Sequence, residues 1–264
     1  MSWKSLARTD SPWRFVHPLN LGLIRSFRPV SGEKSFRESM QWVLDACNVR
    51  IQIESGEFVP DGPQLVISNH PSPMDPPVLA AIVDRDDSYF VGSAGLRSFS
   101  PQLAERLFPI YMSQKSSPYL FTKIKNHVYH RIREEVDREE ARRRNQDSLL
   151  RAARRLNEGA TLILTPTGGT FVSTSDWKVG VGVLIRNAQP TKGHIAFVRI
   201  EGPNRWDLFR FLNPYWFAPF FEERVARIQV HPPLPLTDFW SAGDTAQQIS
   251  EKVKQGYLDA FGAL

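Results

Sequence analysis

At 264 residues, with 41% hydrophobic and 23% charged residues, the chain has the make-up of a folded globular protein, long enough for one large α/β domain or two small ones. A single cysteine, Cys47, excludes a disulfide framework within a monomer and suits a reducing compartment. A net charge of +5 and a pI of about 9.4 favour acidic partners, while the lack of any apolar run near the roughly 18 residues of a membrane span, and of a signal-type h-region, leaves peripheral contact as the expected relation to a membrane.

Residues 1–34 form a basic and aromatic arm, in which Trp3, Trp13, Phe15 and Phe27 alternate with Lys4, Arg8, Arg14, Arg25 and Arg28. Such a segment suits a membrane interface or an arm packed on the domain. From residue 35 the elements of one domain follow. Ser35 and Glu38 make a capping box, and Phe36, Met40, Val43, Leu44 and Cys47 then recur at helical spacing. VRIQIE (49–54) alternates like a strand. QLVISN (64–69) is a short apolar run of the buried-strand kind. PPVLAAIV (76–83), apolar all round and opening on proline, predicts a buried helix with Asp75 near its N-cap.

Further strands are expected at 89–93, 107–113, 161–165, 194–200 and 225–231. Residues 119–157 read as helix in at least two pieces. RIREEVDREEARRRNQD (131–147) is a solvated helical face with mixed-sign pairs, and Gly159 ends the second piece. A last helix (245–261) places Ala246, Ile249, Val253, Tyr257 and Ala260 on one side. Strands alternating with helices predict a single α/β domain over 35–264, with a mixed, largely parallel sheet of about six to eight strands flanked by helices.

The chemistry concentrates in SNHPSPMDP (68–76). In open α/β sheets ligands sit beyond the carboxyl ends of strands, and a strand–loop–helix fragment puts His70 there. Asp75 can either cap the helix or accept an imidazole N–H. In the second case one tautomer is fixed and the other ring nitrogen becomes a base. Backbone N–H groups at the helix start would favour a developing negative charge. Base, orienter and anion site together suit acyl transfer to a hydroxyl. A metal is not expected, since neither an H-x-x-x-H pair nor a cysteine cluster completes a ligand set. Cys47, within a predicted helix, reads as a small buried hydrophobe.

This block resembles the N-H-x-x-x-x-D signature of the glycerolipid acyltransferase superfamily. TLILTPTGGT (161–170) resembles a second block of that family, and its Pro-Thr-Gly-Gly turn is similar to the Pro-Ser-Gly-Gly turn of plastid-type glycerol-3-phosphate acyltransferases. NQDSLLRAARRLNEGATLIL and HIAFVRIEGP also fit, so the resemblance spans roughly 40–260. It implies that His70 deprotonates an acceptor hydroxyl and that Asp75 orients it. The hydroxyl would attack a fatty acyl thioester, acyl-CoA or acyl-ACP, which is a co-substrate; no cofactor is implied. The acceptor would be glycerol 3-phosphate or a lysophospholipid. The oxyanion would be met by backbone N–H groups at the helix start or at Gly168 and Gly169.

The pattern breaks at the phosphate grip, because Thr170, Phe171 and Val172 follow the glycines where the family carries a base. Candidate substrate-binding residues are therefore Lys115 and Arg97 with Thr167, Gly168, Gly169 and Thr170; Lys178 and Arg186 are remoter options. A non-phosphorylated lipid alcohol or a glycolipid is an alternative acceptor, and a catalytically silent lipid-binding protein is the alternative on the same fold. FLNPYWFAPFF (211–221) places Trp216, Phe217 and Phe220 either in a buried loop or in one that dips into a membrane. With the basic arm, the second option predicts a cytoplasmic protein peripheral on the inner face of a membrane, docked on anionic lipid. Nucleic acid is not an expected partner, because the aromatics do not interleave with the arginines in a reading motif.

Overall fold

The computed structural model describes residues 34–59, 61–98, 101–111, 136–168, 177–211 and 222–262. The expected arm up to residue 33, Lys115, Gly169 and Thr170, and the aromatics Trp216, Phe217 and Phe220 lie outside the described residues.

Helix α1 (Phe36–Ala46) starts where the capping box places it. Ser35 Oγ accepts the Glu38 N–H at 3.3 Å, and the Glu38 carboxylate accepts the Ser35 N–H at 2.8 Å. Strand β1 (Val49–Ser55) follows, then β2 (Gln64–Ser68), helix α2 (Asp75–Ile82) and β3 (Ser88–Ser93). A 3-10 turn (Ala94–Ser98) and the short α3 (Pro101–Glu105) lead to β4 (Leu107–Ile110), which stops before Tyr111, short of the expected 113. Helix α4 (Arg138–Asn157) begins inside the charged run, not before it. The Asp137 carboxylate accepts from the N–H groups of Glu139 and Glu140 at 2.9 and 2.8 Å, and so breaks the run at that point. Strand β5 (Thr161–Leu164), helix α5 (Gly180–Ala188), β6 (His194–Glu201), a 3-10 helix (Arg205–Phe211), β7 (Arg224–Val230), the two-residue β8 (Leu234–Pro235), a 3-10 turn (Leu236–Phe239) and α6 (Ala246–Phe261) complete the described chain.

Seven strands run in the order β1-β7-β6-β2-β5-β3-β4, and β8 pairs with β6 to make eight. Every ladder is parallel except β6 with β7 and β6 with β8. This is the mixed, largely parallel sheet expected, near the upper end of its strand count. β2 lies at the centre, and all five of its residues are buried, because β5 and β6 pair both its sides and helices cover both its faces.

The period of two sorts the side chains. Val66, Ile163, Ala196 and Val198 face α1 and α2 and meet Met40, Leu44, Val78 and Leu79. Leu65, Ile67, Leu162, Ile195 and Phe197 face α4, α5 and α6 and meet Leu156, Leu184, Val253 and Tyr257. Each fully buried side chain of this size contributes roughly 1.5–3 kcal/mol. Helices α5 and α6 approach closely at Gly182, where a Cβ would lie 1.8 Å from the Ala246 carbonyl oxygen. α5 was not among the expected elements.

Candidate active site

β2 delivers the site. At its carboxyl end Asn69 continues the pairing with β6 through its side chain. Nδ2 donates to the Ile200 carbonyl at 2.9 Å, and Oδ1 accepts the Ile200 N–H at 2.8 Å. The strand end is thereby fixed one residue before His70. The His70 ring is mostly buried, with 12% of the side chain exposed, and its Nδ1 lies 2.8 Å from Asp75 Oδ2.

Asp75 decides between the two readings left open by the sequence. The N-cap of α2 is Met74, with no side-chain cap bond, and Asp75 is the first helical residue. Its carboxylate turns away from the helix, and Oδ2 accepts from both His70 Nδ1 and the Ser72 N–H, the latter at 2.8 Å. A carboxylate can only accept, so Nδ1 carries the proton and Nε2 is the basic nitrogen.

Asp75 is fully buried, and burial pushes its carboxyl up to about 6, against the opposing pull of the His70 hydrogen bond. Among the described residues Oδ1 has no hydrogen-bond partner, which adds to the cost of the charged form. At neutral pH the carboxylate is still the main form.

The helix start does not supply the anion site expected there. The Asp75 N–H donates to the Ser72 carbonyl at 3.2 Å, Pro76 and Pro77 have no N–H, and the Val78 N–H donates to Met74. The two prolines that shape the helix entrance also remove its donors.

The turn after β5 lies one strand away on the same edge, since β2 and β5 are parallel neighbours. Thr167 is buried, with 4% exposed. Gly168 has φ +62 and donates its N–H to the Thr165 carbonyl at 3.1 Å; a Cβ there would meet nothing within 4 Å. The Lys178 N–H donates to the Pro166 carbonyl at 2.9 Å, so this exposed lysine belongs to the turn despite its distance in sequence. Arg186 does not, because it occupies the last turn of α5, which starts at the Pro166 turn and ends with the Ala188 carbonyl accepting from Asn157 Nδ2. Arg97 follows β3, two strands from β2, with its guanidinium 5.7 Å from the centre of the Tyr111 ring.

Behind the pair lies a group that the sequence reading missed. Asp207 and Arg210 are 2% and 6% exposed at the side chain and joined at 2.9 Å, and Asp207 Oδ2 lies 3.5 Å from Ser72 Oγ. The available signal was an Asp and an Arg three apart in RWDLFR, which reads as ordinary helical pairing. Cys47 sits against the same group, and burial pushes its thiol up to about 12, so it is no nucleophile. Among the described residues no cluster of three or more His, Cys, Asp or Glu could hold a metal, and no helix is long and apolar enough to cross a membrane.

The site is thus an imidazole with one nitrogen pinned by a buried carboxylate, at the carboxyl end of a central parallel strand, an arrangement with the geometry that general-base chemistry requires. The family model described as Acyltransferase matches residues 50–200, which takes in the whole block, and the chain belongs to that family. Among solved structures it is similar to the 1-acyl-sn-glycerophosphate (LPA) acyltransferase PlsC from Thermotoga maritima, at 16% identity and a TM-score of 0.46, over 92% of this chain and 93% of that one. A comparison with curated proteins gives no match.

Proposed function

We propose that the chain transfers a fatty acyl group from an acyl thioester, acyl-CoA or acyl-ACP, to a hydroxyl of glycerol 3-phosphate or a lysophospholipid, with His70 as general base oriented by Asp75. The 2.8 Å bond from His70 Nδ1 to the buried Asp75 carboxylate carries this reading. Nε2 takes the proton of the acceptor hydroxyl as its oxygen attacks the thioester carbonyl. The tetrahedral intermediate then collapses, the C–S bond breaks, and the imidazolium returns the proton to the leaving thiolate. No acyl-enzyme is needed.

The acceptor's charge has its best support at Lys178, whose backbone is bonded to the Pro166 turn. Lys115, Gly169 and Thr170 remain candidates from sequence. A phosphate would gain charge-assisted hydrogen bonds there, and a glycolipid or plain lipid alcohol would not. Peripheral docking on the inner face of a membrane is supported by the basic chain and by Trp206, which follows β6 on the catalytic edge, is 61% exposed, and has the Arg205 guanidinium 4.9 Å from its ring centre.

The test is purified protein with labelled acyl thioesters and a panel of acceptors, phosphorylated and not. Transfer that disappears in both His70→Ala and Asp75→Asn is expected. Transfer unchanged in those variants refutes the mechanism, and transfer to uncharged alcohols alone refutes the phosphorylated acceptor. Flotation with liposomes containing anionic lipid tests the docking, and equal recovery with neutral liposomes refutes it.

A further inference from the structure

We infer that Asp207 is a positioning residue for the His70–Asp75 pair and acts through Ser72; the inference rests on the general-base reading of that pair. Ser72 is fully buried and commits each of its polar atoms to this task. Its N–H donates to Asp75 Oδ2 at 2.8 Å, and its carbonyl accepts the Asp75 N–H at 3.2 Å. Its Oγ accepts the Met74 N–H at 3.1 Å and donates to Asp207 Oδ2 at 3.5 Å. The last bond is long, so its effect is chiefly to set the direction of the hydroxyl.

Asp207 is in turn held from several directions. Oδ1 accepts from Arg210 Nε at 2.9 Å and from Arg224 Nε at 3.3 Å, and Oδ2 accepts the Asn204 N–H at 2.6 Å. Arg210 reaches on to the Cys47 carbonyl at 3.0 Å and the Glu222 carbonyl at 2.9 Å. The end of α1, the stretch after β6 and the entry to β7 are thus tied to one serine in the catalytic loop.

Burying two charges costs several kcal/mol of desolvation, which an apolar pair would avoid, so stability is a poor explanation for them. Fixing one arrangement of the loop is a better one, and there is an electrostatic consequence. The Asp207 charge is among the causes that raise the Asp75 carboxyl, after burial. The charged and titratable groups about the network, among the described residues, are His70 and Asp75 in the loop, Asp207 and Arg210 in the 3-10 helix, Arg224 on β7 and Cys47 after α1. Tyr257, Arg199 and Glu201 lie behind Asn69.

The experiment follows the His70 ring resonances of the full chain by NMR against pH, together with kcat and KM. In Asp207→Asn the titration of the Asp75 carboxyl should move to lower pH, because a neighbouring negative charge is gone. kcat should fall about 10-fold with the donor KM unchanged, as for an interaction that matters only in the transition state. Ser72→Ala leaves the ion pair intact; it should lower kcat similarly without moving the titration. The double variant should be no worse than Ser72→Ala alone. An unchanged kcat in folded Asp207→Asn overturns the inference. Should that variant not fold, an unchanged kcat in Ser72→Ala overturns it. A titration that moves in a protein that transfers no acyl group refutes the acyl-transfer reading and keeps the Asp207–Asp75 coupling.

Discussion

The turn that leaves β2 and the turn that leaves β5 are one strand apart on the same edge, yet they use their polar groups differently. From Asn69 to Asp75 the described side chains and amides bond inward: Asn69 to β6, His70 to Asp75, Ser72 to Asp75 and to Asp207. From Thr165 to Gly168 the backbone bonds among the described residues close the turn and attach Lys178, and a Cβ on Gly168 would meet nothing within 4 Å. A general base would have to be held within a few tenths of an ångström of its working position, and the first turn has the bonds to do that. On the proposed reading a substrate would have to enter and leave, and the second turn is the place offered for that.

The largest effect expected from breaking the first turn is on rate. Asp75→Asn keeps the shape of the carboxylate and removes the acceptor-only group that fixes the tautomer, so kcat should fall about 10²–10⁴-fold with the fold intact. Single-turnover transfer beside a thermal melt measures both. A loss under 10-fold would show that the tight turn is scaffolding.

The same carboxylate gives a pH signature. Its carboxyl is raised from 3.8 to about 6, so between those values the folded state binds more protons than the unfolded one. Stability contributed by the protonated form is full below about 4 and is lost as pH rises through about 6. The loss amounts to about 3 kcal/mol, at 1.36 kcal/mol per unit. Urea unfolding of wild type against Asp75→Asn at pH 4 and pH 7 should show that difference with that sign. Activity runs the opposite way, because the working form is ionised: kcat/KM should drop as pH falls through about 6. The site therefore gains its function in the pH range where it costs stability.

The tight turn was also the part that could be read from the sequence. His70, Asp75 and the strand before them are local: apolar run, Asn-His, then Asp against two prolines, all within a dozen residues. The capping box at Ser35 and the helical spacing of Ile249, Val253 and Tyr257 are local signals of the same kind, and both terminal helices of the described chain form where those signals place them. What could not be read depends on contacts far apart in sequence. Asp207 meets Ser72 across 135 residues, and Lys178 meets Pro166 by way of a backbone amide that leaves no mark in composition. Helix α5 was missed because GVGVLIRNA carries two glycines and no side-chain cap; its burial against α4 and α6 makes it a helix. Asp75 itself was only half read, since spacing cannot tell a cap from an orienter.

A smaller loss is expected from Asn69→Ala, which leaves the buried Ile200 N–H and carbonyl without their side-chain partners. Two such bonds and the orphaned backbone groups are worth roughly 2–3 kcal/mol. Calorimetry should show this as a lower Tm, with kcat falling in step because the strand end before His70 is loosened. A lower Tm with kcat untouched would separate strand fixing from base positioning.

On the open side the expected changes concern binding more than rate. Lys178→Ala should raise KM for a phosphorylated acceptor about 10-fold, the equivalent of one charge-assisted hydrogen bond, and leave KM for an uncharged alcohol alone. Equal KM changes for both acceptors would remove the lysine from headgroup recognition. Gly168→Ala is the mildest test. At φ +62 an alanine carries backbone strain of about 1 kcal/mol, but the Cβ meets no neighbour, and a less flexible unfolded chain offsets part of that cost. The melt should therefore shift by no more than a few degrees. If the acceptor passes beside this turn, the added methyl occupies the space it uses, and KM for the acceptor should rise while Tm hardly moves. A variant with both values unchanged would mean that the space beside Gly168 is not on the substrate's path, and the contrast between the two turns would then be one of packing only.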